Sequence, residues 1–137
     1  MGVDVSPNFL VDVYKKEVRS LLEIAVPAWH SGLTDSQSQE IERVQKIAMS
    51  ILLGKWLPSE PARQILDLEP LAIRRENICK RFAKKTLNSR HSDIFERKPE
   101  SHSHNLRFKE PFVQAKCKTK RFYDSPANFM TRILNEK

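Results

Sequence analysis

Two groups of basic residues offer the plainest chemistry in this sequence, which is the binding of phosphate. One group lies in residues 71–88, whose pattern predicts a helix: Arg74, Arg75, Lys80, Arg81, Lys84 and Lys85. The other group leads into Phe122 and Tyr123: Lys116, Lys118, Lys120 and Arg121. Lys and Arg side chains with few neighbouring carboxylates can contact nucleic-acid phosphates, and aromatic rings beside them can stack on bases. The sequence therefore predicts a nucleic-acid-binding surface built from these ten residues.

Each group also has a purely structural interpretation. The basic residues of 71–88 alternate with apolar ones, and that spacing is equally typical of the solvated face of a packed helix. Phe122 and Tyr123 could instead dock a loop or strand on a helical core. The sequence leaves both alternatives open.

The net charge of +7 is unevenly placed along the chain. Residues 1–73 hold seven Lys or Arg against ten Asp or Glu, whereas residues 74–98 hold nine against three and residues 105–137 hold eight against three. An acidic front half followed by a basic back half indicates a polyanionic partner for the back half.

No complete catalytic or metal site is visible in the sequence. His102 and His104, with Cys117 downstream, fit no compact four-ligand zinc spacing. No apolar run approaches the ~20 residues that span a bilayer, and Cys79 falls on a helix face as a buried apolar residue. We therefore expect no metal, no cofactor and no membrane partner, and an intracellular location in the nucleus or cytoplasm.

A helical hairpin in residues 13–54 gives the strongest structural pattern. The first helix carries apolar residues at three- and four-residue steps, and we expect Pro27 to end it. The second begins at Thr34, which has capping-box spacing to Gln37, and ends at Gly54. Its predicted apolar stripe comprises Ile41, Val44, Ile47 or Ala48, Ile51 and Leu52. We expect Trp29 and Trp56 to pack against the hairpin.

Shorter helices follow the hairpin. We expect Ser59 to cap a helix that Pro70 ends, and Ser125 and Pro126 to begin a last helix. Residues from Asn88 to about Ala115 are typical of a polar loop. The predicted fold is all-α, a helical hairpin plus further short helices with an irregular basic C-terminal segment. The predicted divisions are a helical domain at 1–88, a linker at 89–115, and a basic-aromatic segment with a helix at 116–137.

Many residues agree in order and spacing with one known family. The pattern Y-x-x-x-[VI]-R-S-x-L-E-[YF]-A-x-P-x-W, then E-x-V-Q-[KR] and [IL]-[IL]-G, is matched by Tyr14, Val18, Arg19, Ser20, Leu22, Glu23, Ala25, Pro27, Trp29, Glu42, Val44, Gln45, Lys46 and Leu52 to Gly54. This stretch resembles the region after the polymerase palm in reverse transcriptases of non-LTR retrotransposons. Downstream matches include Arg74, Arg75, Cys79, Phe82, Lys84, Lys85, Thr119, Lys120, Arg121, Ser125, Pro126, Arg132, Leu134 and Asn135.

The resemblance implies a thumb-like helical domain that grips a template–primer duplex through its backbone. RNA, an RNA–DNA hybrid or DNA would then be the ligand, and a palm-containing protein is a candidate partner. The family's paired catalytic aspartates and their Mg²⁺ ions belong to the palm, and this chain has no Asp-Asp pair. We therefore expect no polymerase activity and no catalytic residue in this chain.

Two other functional hypotheses remain beside the nucleic-acid one. The acidic, well-patterned front half and the two tryptophans also suit a small helical protein-interaction module. A non-functional remnant would instead leave exposed the face that once met the palm.

Overall fold

The computed structural model describes residues 6–98 and 111–136, and within them the expected all-α fold is confirmed. The helices are α1 (Pro7–Val13), α2 (Arg19–Leu22), α3 (Val26–Trp29), α4 (Asp35–Leu53), α5 (Ser59–Leu66), α6 (Leu71–Leu87), α7 (Lys120–Tyr123) and α8 (Pro126–Asn135). Short 3₁₀ turns occupy His30–Gly32 and Ser92–Ile94. In the described part of the chain, no helix is both long and apolar enough to cross a membrane.

The first helical run contains a wider turn and ends earlier than the sequence predicts. A π-helical turn at Tyr14–Val18 joins α1 to α2, and the Ser20 hydroxyl donates to the carbonyl oxygens of Lys16 and Glu17. The helix ends at Leu22, and Ala25 takes a positive φ of 52°. The prediction that Pro27 ends this helix is wrong, because Pro27 lies in the first turn of α3, where a missing N–H costs no hydrogen bond.

Helix α4 has the ends that the sequence predicts. The Thr34 side chain accepts from the Gln37 N–H at 3.2 Å, and the Gln37 side chain accepts from the Thr34 N–H at 3.0 Å. Gly54 ends the helix with a φ of 62°. The capping box and the glycine terminus are therefore both confirmed.

The buried face of α4 differs from the predicted stripe. Gln45 and Met49 are buried, whereas Val44, Ile47 and Ile51 are exposed, Ile51 by 72%. The prediction is wrong for Val44 and Ile51, because α4 has apolar residues on two sides and its packing partners cover only one. Of the alternatives Ile47 and Ala48, Ala48 packs against the core, as Leu52 does.

Helix α5 also begins and ends differently from the prediction. Pro58, not Ser59, is its N-cap, and Asp67 takes a φ of 50° after its last residue. The turn at Asp67 places Leu68 in the core beside Leu66.

The described residues form two compact units, and the division is not the predicted one. The first unit comprises residues 6–25 and 33–75, and the second comprises 26–32, 76–98 and 111–136. Helix α6 therefore contributes its first five residues to the first unit and the rest to the second. The corner at 26–32 belongs to the second unit, although the helices on either side of it in sequence belong to the first.

The first unit packs α1, α4 and α5 around one apolar cluster. Its buried members are Tyr14, Met49, Ala62, Leu66 and Leu68. Residues from three separate stretches of sequence, at Tyr14, at Met49 and at 62–68, thus close one small core.

The second unit has two apolar clusters. One comprises Ala83, Phe95, Phe112 and Met130, and the other comprises Val26, Cys79 and Ile133 with Trp29 packed against it. The burial of Cys79 is confirmed.

The predicted linker at 89–115 contributes to the second unit's core where the structure describes it. Phe95 and Phe112 are buried with their rings in edge-to-face contact at 6.1 Å between centroids. The Val113 N–H donates to the Glu96 carbonyl at 2.8 Å, beside an antiparallel bridge between Arg97 and Phe112. Residues 89–98 and 111–115 are irregular apart from this bridge and the 3₁₀ turn at Ser92–Ile94, but this predicted loop also supplies two buried aromatic rings. His102 and His104 lie outside the described residues.

Candidate nucleic-acid interface

Among the described residues, only one of the two units carries a net positive charge. The described residues of the first unit hold nine Lys or Arg and nine Asp or Glu, so that unit is neutral. Those of the second unit hold twelve against five, a net charge of +7. The net positive charge of the described residues therefore lies on the second unit.

Arg74, one of the predicted phosphate contacts, forms an ion pair inside the first unit. Its Nε lies 2.5 Å from Oε1 of Glu23, its Nη2 lies 3.0 Å from Oε2, and Glu69 is 3.9 Å away. The hydrogen bond that Arg74 donates to Glu23 raises the pKa of Arg74. Both charged side chains are largely shielded from solvent, so the guanidinium of Arg74 is occupied by the Glu23 carboxylate.

Arg75 is also positioned away from any phosphate. Its side chain is 1% exposed, and its Nη2 donates to the Ser38 hydroxyl at 2.7 Å. A side chain buried in this way cannot reach a bound backbone. Arg75 instead takes one of the core-facing positions of α6, four residues after Leu71 and four before Cys79.

The residues of the first unit that carry the family resemblance form a polar network. Glu42 accepts from the Ala72 N–H at 2.6 Å and from Arg63 Nη2 at 3.3 Å. Gln45 donates to the Glu69 carbonyl at 3.0 Å. Burial raises the pKa of the Tyr14 hydroxyl to about 12, and the charges of Arg19, Glu23, Glu42 and Arg74 act on it more weakly. In this structure the matched residues of this unit hold helices together.

The other four predicted cations of α6 form a basic face on the second unit. At about 3.6 residues per turn, Lys80, Arg81, Lys84 and Lys85 fall within an arc of roughly 140°. Arg81, Lys84 and Lys85 are exposed, and no ion pair joins them to any residue in 6–98 or 111–136. The Nζ of Lys80 lies 2.6 Å from Oε1 of Glu76, and the hydrogen bond that Lys80 donates to this carboxylate raises the pKa of Lys80. Three cations of this face are therefore available to a ligand.

The second predicted group is exposed as well. Lys116, Lys118, Lys120 and Arg121 all reach solvent, and the Thr119 hydroxyl caps α7 by accepting from the Phe122 N–H at 3.2 Å. Phe122 is 48% exposed and Tyr123 is 46% exposed. Neither ring is buried in the core, although the Tyr123 ring contacts Arg132 of α8.

Two residues of α8 that we did not predict as site residues hold this segment. Asn128 donates to the Phe122 carbonyl at 2.7 Å. Arg132 donates to the Tyr123 carbonyl at 2.6 Å and stacks on its ring, 3.8 Å from the centroid. The sequence signal for them is weak, because their contacts are with residues six and nine positions earlier.

The tryptophans and His30 have separate environments. Trp29 packs in the second unit with Cys79 and Ile133, and His30 meets Phe129 edge to face at 5.5 Å. Trp56 is 64% exposed with the Lys46 ammonium 5.1 Å from its ring centroid. Trp56 therefore contacts Lys46 of the hairpin, but it is not buried against the hairpin as expected.

The described residues contain no group of three or more His, Cys, Asp or Glu that could hold a metal ion. Comparison with known proteins found no family model, no curated protein and no solved structure that matches this chain.

Proposed function

We propose that this chain binds nucleic acid through the second unit, by contacts with the phosphate backbone and without sequence preference. The observation that carries the proposal is that the net positive charge of residues 6–98 and 111–136 lies on one unit. That unit exposes Arg81, Lys84, Lys85 and the 116–121 segment. Backbone contacts made by Lys and Arg release condensed counterions, so binding weakens steeply as salt rises.

The proposed ligand is an RNA–DNA hybrid, RNA or DNA. The sequence resemblance supports this choice, because the matched residues resemble the segment that follows the palm in reverse transcriptases of non-LTR retrotransposons. In this proposal the chain acts as a fragment that grips a template–primer duplex and leaves polymerase chemistry to a palm-containing partner. The half-exposed rings of Phe122 and Tyr123 add a surface on which an unpaired base can stack.

The test is fluorescence anisotropy with a labelled RNA–DNA hybrid at low and near-physiological salt. Seven exposed cations engaging phosphates predict a slope of log affinity against log salt of about −4 to −6. A slope near zero would contradict the proposal.

A matched pair of variants separates the basic face from overall charge. The double variant Arg81→Glu with Lys84→Glu should lose most of the binding. The control, Lys16→Glu with Arg43→Glu, makes the same charge change at exposed residues of the first unit and should retain most of it. Equal losses in both variants would mean that net charge, and not this surface, attracts the ligand.

A further inference from the structure

Helix α4 exposes a row of residues with coiled-coil spacing. Gln37, Glu40, Val44, Ile47 and Ile51 follow one another at steps of three, four, three and four residues. Val44 is 41% exposed, Ile47 44% and Ile51 72%. Alternating steps of three and four define the contact seam of paired helices. We call these five residues the α4 seam.

The seam is separate from the face that holds α4 in its own unit. Gln45 and Met49 are buried on the other side, where Met49 packs with Tyr14, Ala62 and Leu66. The capping box at Thr34 and the left-handed turn at Gly54 hold both ends of the helix. The seam is therefore displayed by a helix that is already held in place.

We propose that the α4 seam pairs with the same seam of a second copy of this chain, in antiparallel orientation. Glu40 lies near the start of the seam, and Lys55 follows Gly54 just past its end. An antiparallel copy brings Glu40 of each chain toward Lys55 of the other, whereas a parallel copy brings the two Glu40 carboxylates together. Complementary charge at both ends selects the antiparallel arrangement.

The rest of the seam agrees with this arrangement. Val44 of one copy faces Ile51 of the other, and Ile47 meets its own counterpart near the two-fold axis. Arg43 lies beside the seam and faces Ser50 of the other copy, so no like charges are forced together. The apolar part of the seam is only about 10 Å long at 1.5 Å per residue, and the association is therefore reversible and depends on concentration.

Sedimentation velocity of the full chain without nucleic acid, up to about 1 mM protein, tests the proposal. The wild-type protein should shift from monomer toward dimer as its concentration rises. Ile47→Glu places two carboxylates at the two-fold axis and should abolish the shift. Ile65→Glu makes the same change at an exposed isoleucine of α5 and should leave the shift intact. Circular dichroism checks that both variants stay helical.

Exchanging the charges of Glu40 and Lys55 tests whether the two copies pair in antiparallel orientation. Glu40→Lys alone and Lys55→Glu alone should each weaken self-association by about tenfold or less. The double variant should recover the wild-type dissociation constant, because each new charge again faces its opposite. A wild-type protein that stays monomeric throughout, an equal loss in Ile65→Glu, or a double variant no better than its parents would overturn the proposal. Because no nucleic acid is used, this result is independent of the proposed binding function.

Discussion

The guanidinium of Arg74 meets both carboxylate oxygens of Glu23, at 2.5 Å and 3.0 Å. The two residues lie 51 positions apart and join α6 to the turn that follows α2. Arg74, which the sequence predicts as a phosphate contact, therefore helps to hold the first unit together.

Replacing Arg74 should affect stability and leave nucleic-acid binding nearly unchanged. Arg74→Ala leaves the carboxylate of Glu23 shielded with a weaker partner, Arg19, at 3.8 Å, and should lower the free energy of unfolding by about 1–3 kcal/mol. Arg81→Ala, at an exposed position of the same helix, should change it by less than about 0.5 kcal/mol. Urea unfolding and the anisotropy assay measure the two effects. If Arg74→Ala weakens binding more than Arg81→Ala does, the structural assignment of Arg74 is wrong.

Tyr14 should make stability fall in alkaline solution. Burial raises the pKa of its hydroxyl from 10.0 to about 12. Below pH 10 the hydroxyl is protonated in both states, so it adds no pH dependence. As pH rises from 10 to 12 the unfolded chain loses this proton first, and stability should fall by about 2–3 kcal/mol.

The variant Tyr14→Phe isolates this effect. Among the described protein atoms the Tyr14 hydroxyl has no hydrogen-bond partner, so removing it should cost little stability near neutral pH. The difference in urea midpoint between wild type and variant should grow above pH 10. A constant difference from about pH 9 to about pH 12 would show that Tyr14 does not titrate on unfolding.

Asn135 should be required for the second unit's core. Its side chain accepts from the Phe112 N–H at 3.1 Å and donates to the Phe112 carbonyl at 3.2 Å, and both residues are buried. Asn135→Ala leaves both backbone groups without a partner and should cost about 2–4 kcal/mol. Thermal unfolding measures the loss. Glu136→Ala, at the exposed neighbour, is the control and should stay within about 0.5 kcal/mol of wild type.

Gly54 and Gly32 offer a matched test of backbone conformation. A Cβ at either position would meet no heavy atom within 4 Å, but only Gly54 has a positive φ, of 62°. Gly54→Ala should destabilise the protein by about 1 kcal/mol through backbone strain. Gly32→Ala should be neutral or slightly stabilising, because it restricts the unfolded chain. Equal effects in urea unfolding would argue against the left-handed end of α4.

The local features were predictable because each depends on residues within one helical turn. The capping box joins Thr34 to Gln37, and the terminal turn needs only a residue that tolerates positive φ at Gly54. The helical character of the chain and the burial of Cys79 follow from apolar periodicity in the same way.

The candidate interface was predictable only in part. Composition and spacing identified Lys80, Arg81, Lys84, Lys85 and the 116–121 cations, which the structure places at the surface of the second unit. Composition and spacing could not distinguish these residues from Arg74 and Arg75, because the sequence pattern around an arginine is the same whether its side chain faces solvent or a partner far away in the chain. Arg132 was missed for the same reason, since its role lies in its contact with Tyr123.

The amino-acid sequence by itself determined the all-α class of the fold, the ends of α4 and the excess of positive charge, since these depend on local conformational preference and on composition. Only the tertiary structure decided which sides of the helices are buried. In the structure Met49 of α4 is buried and Ile51 is exposed, and Arg75 is buried. Phe95 and Phe112 pack together, although the sequence predicts a polar loop for the stretch that contains them. The physical reason is that burial depends on contacts between residues far apart in the chain, which no local pattern contains.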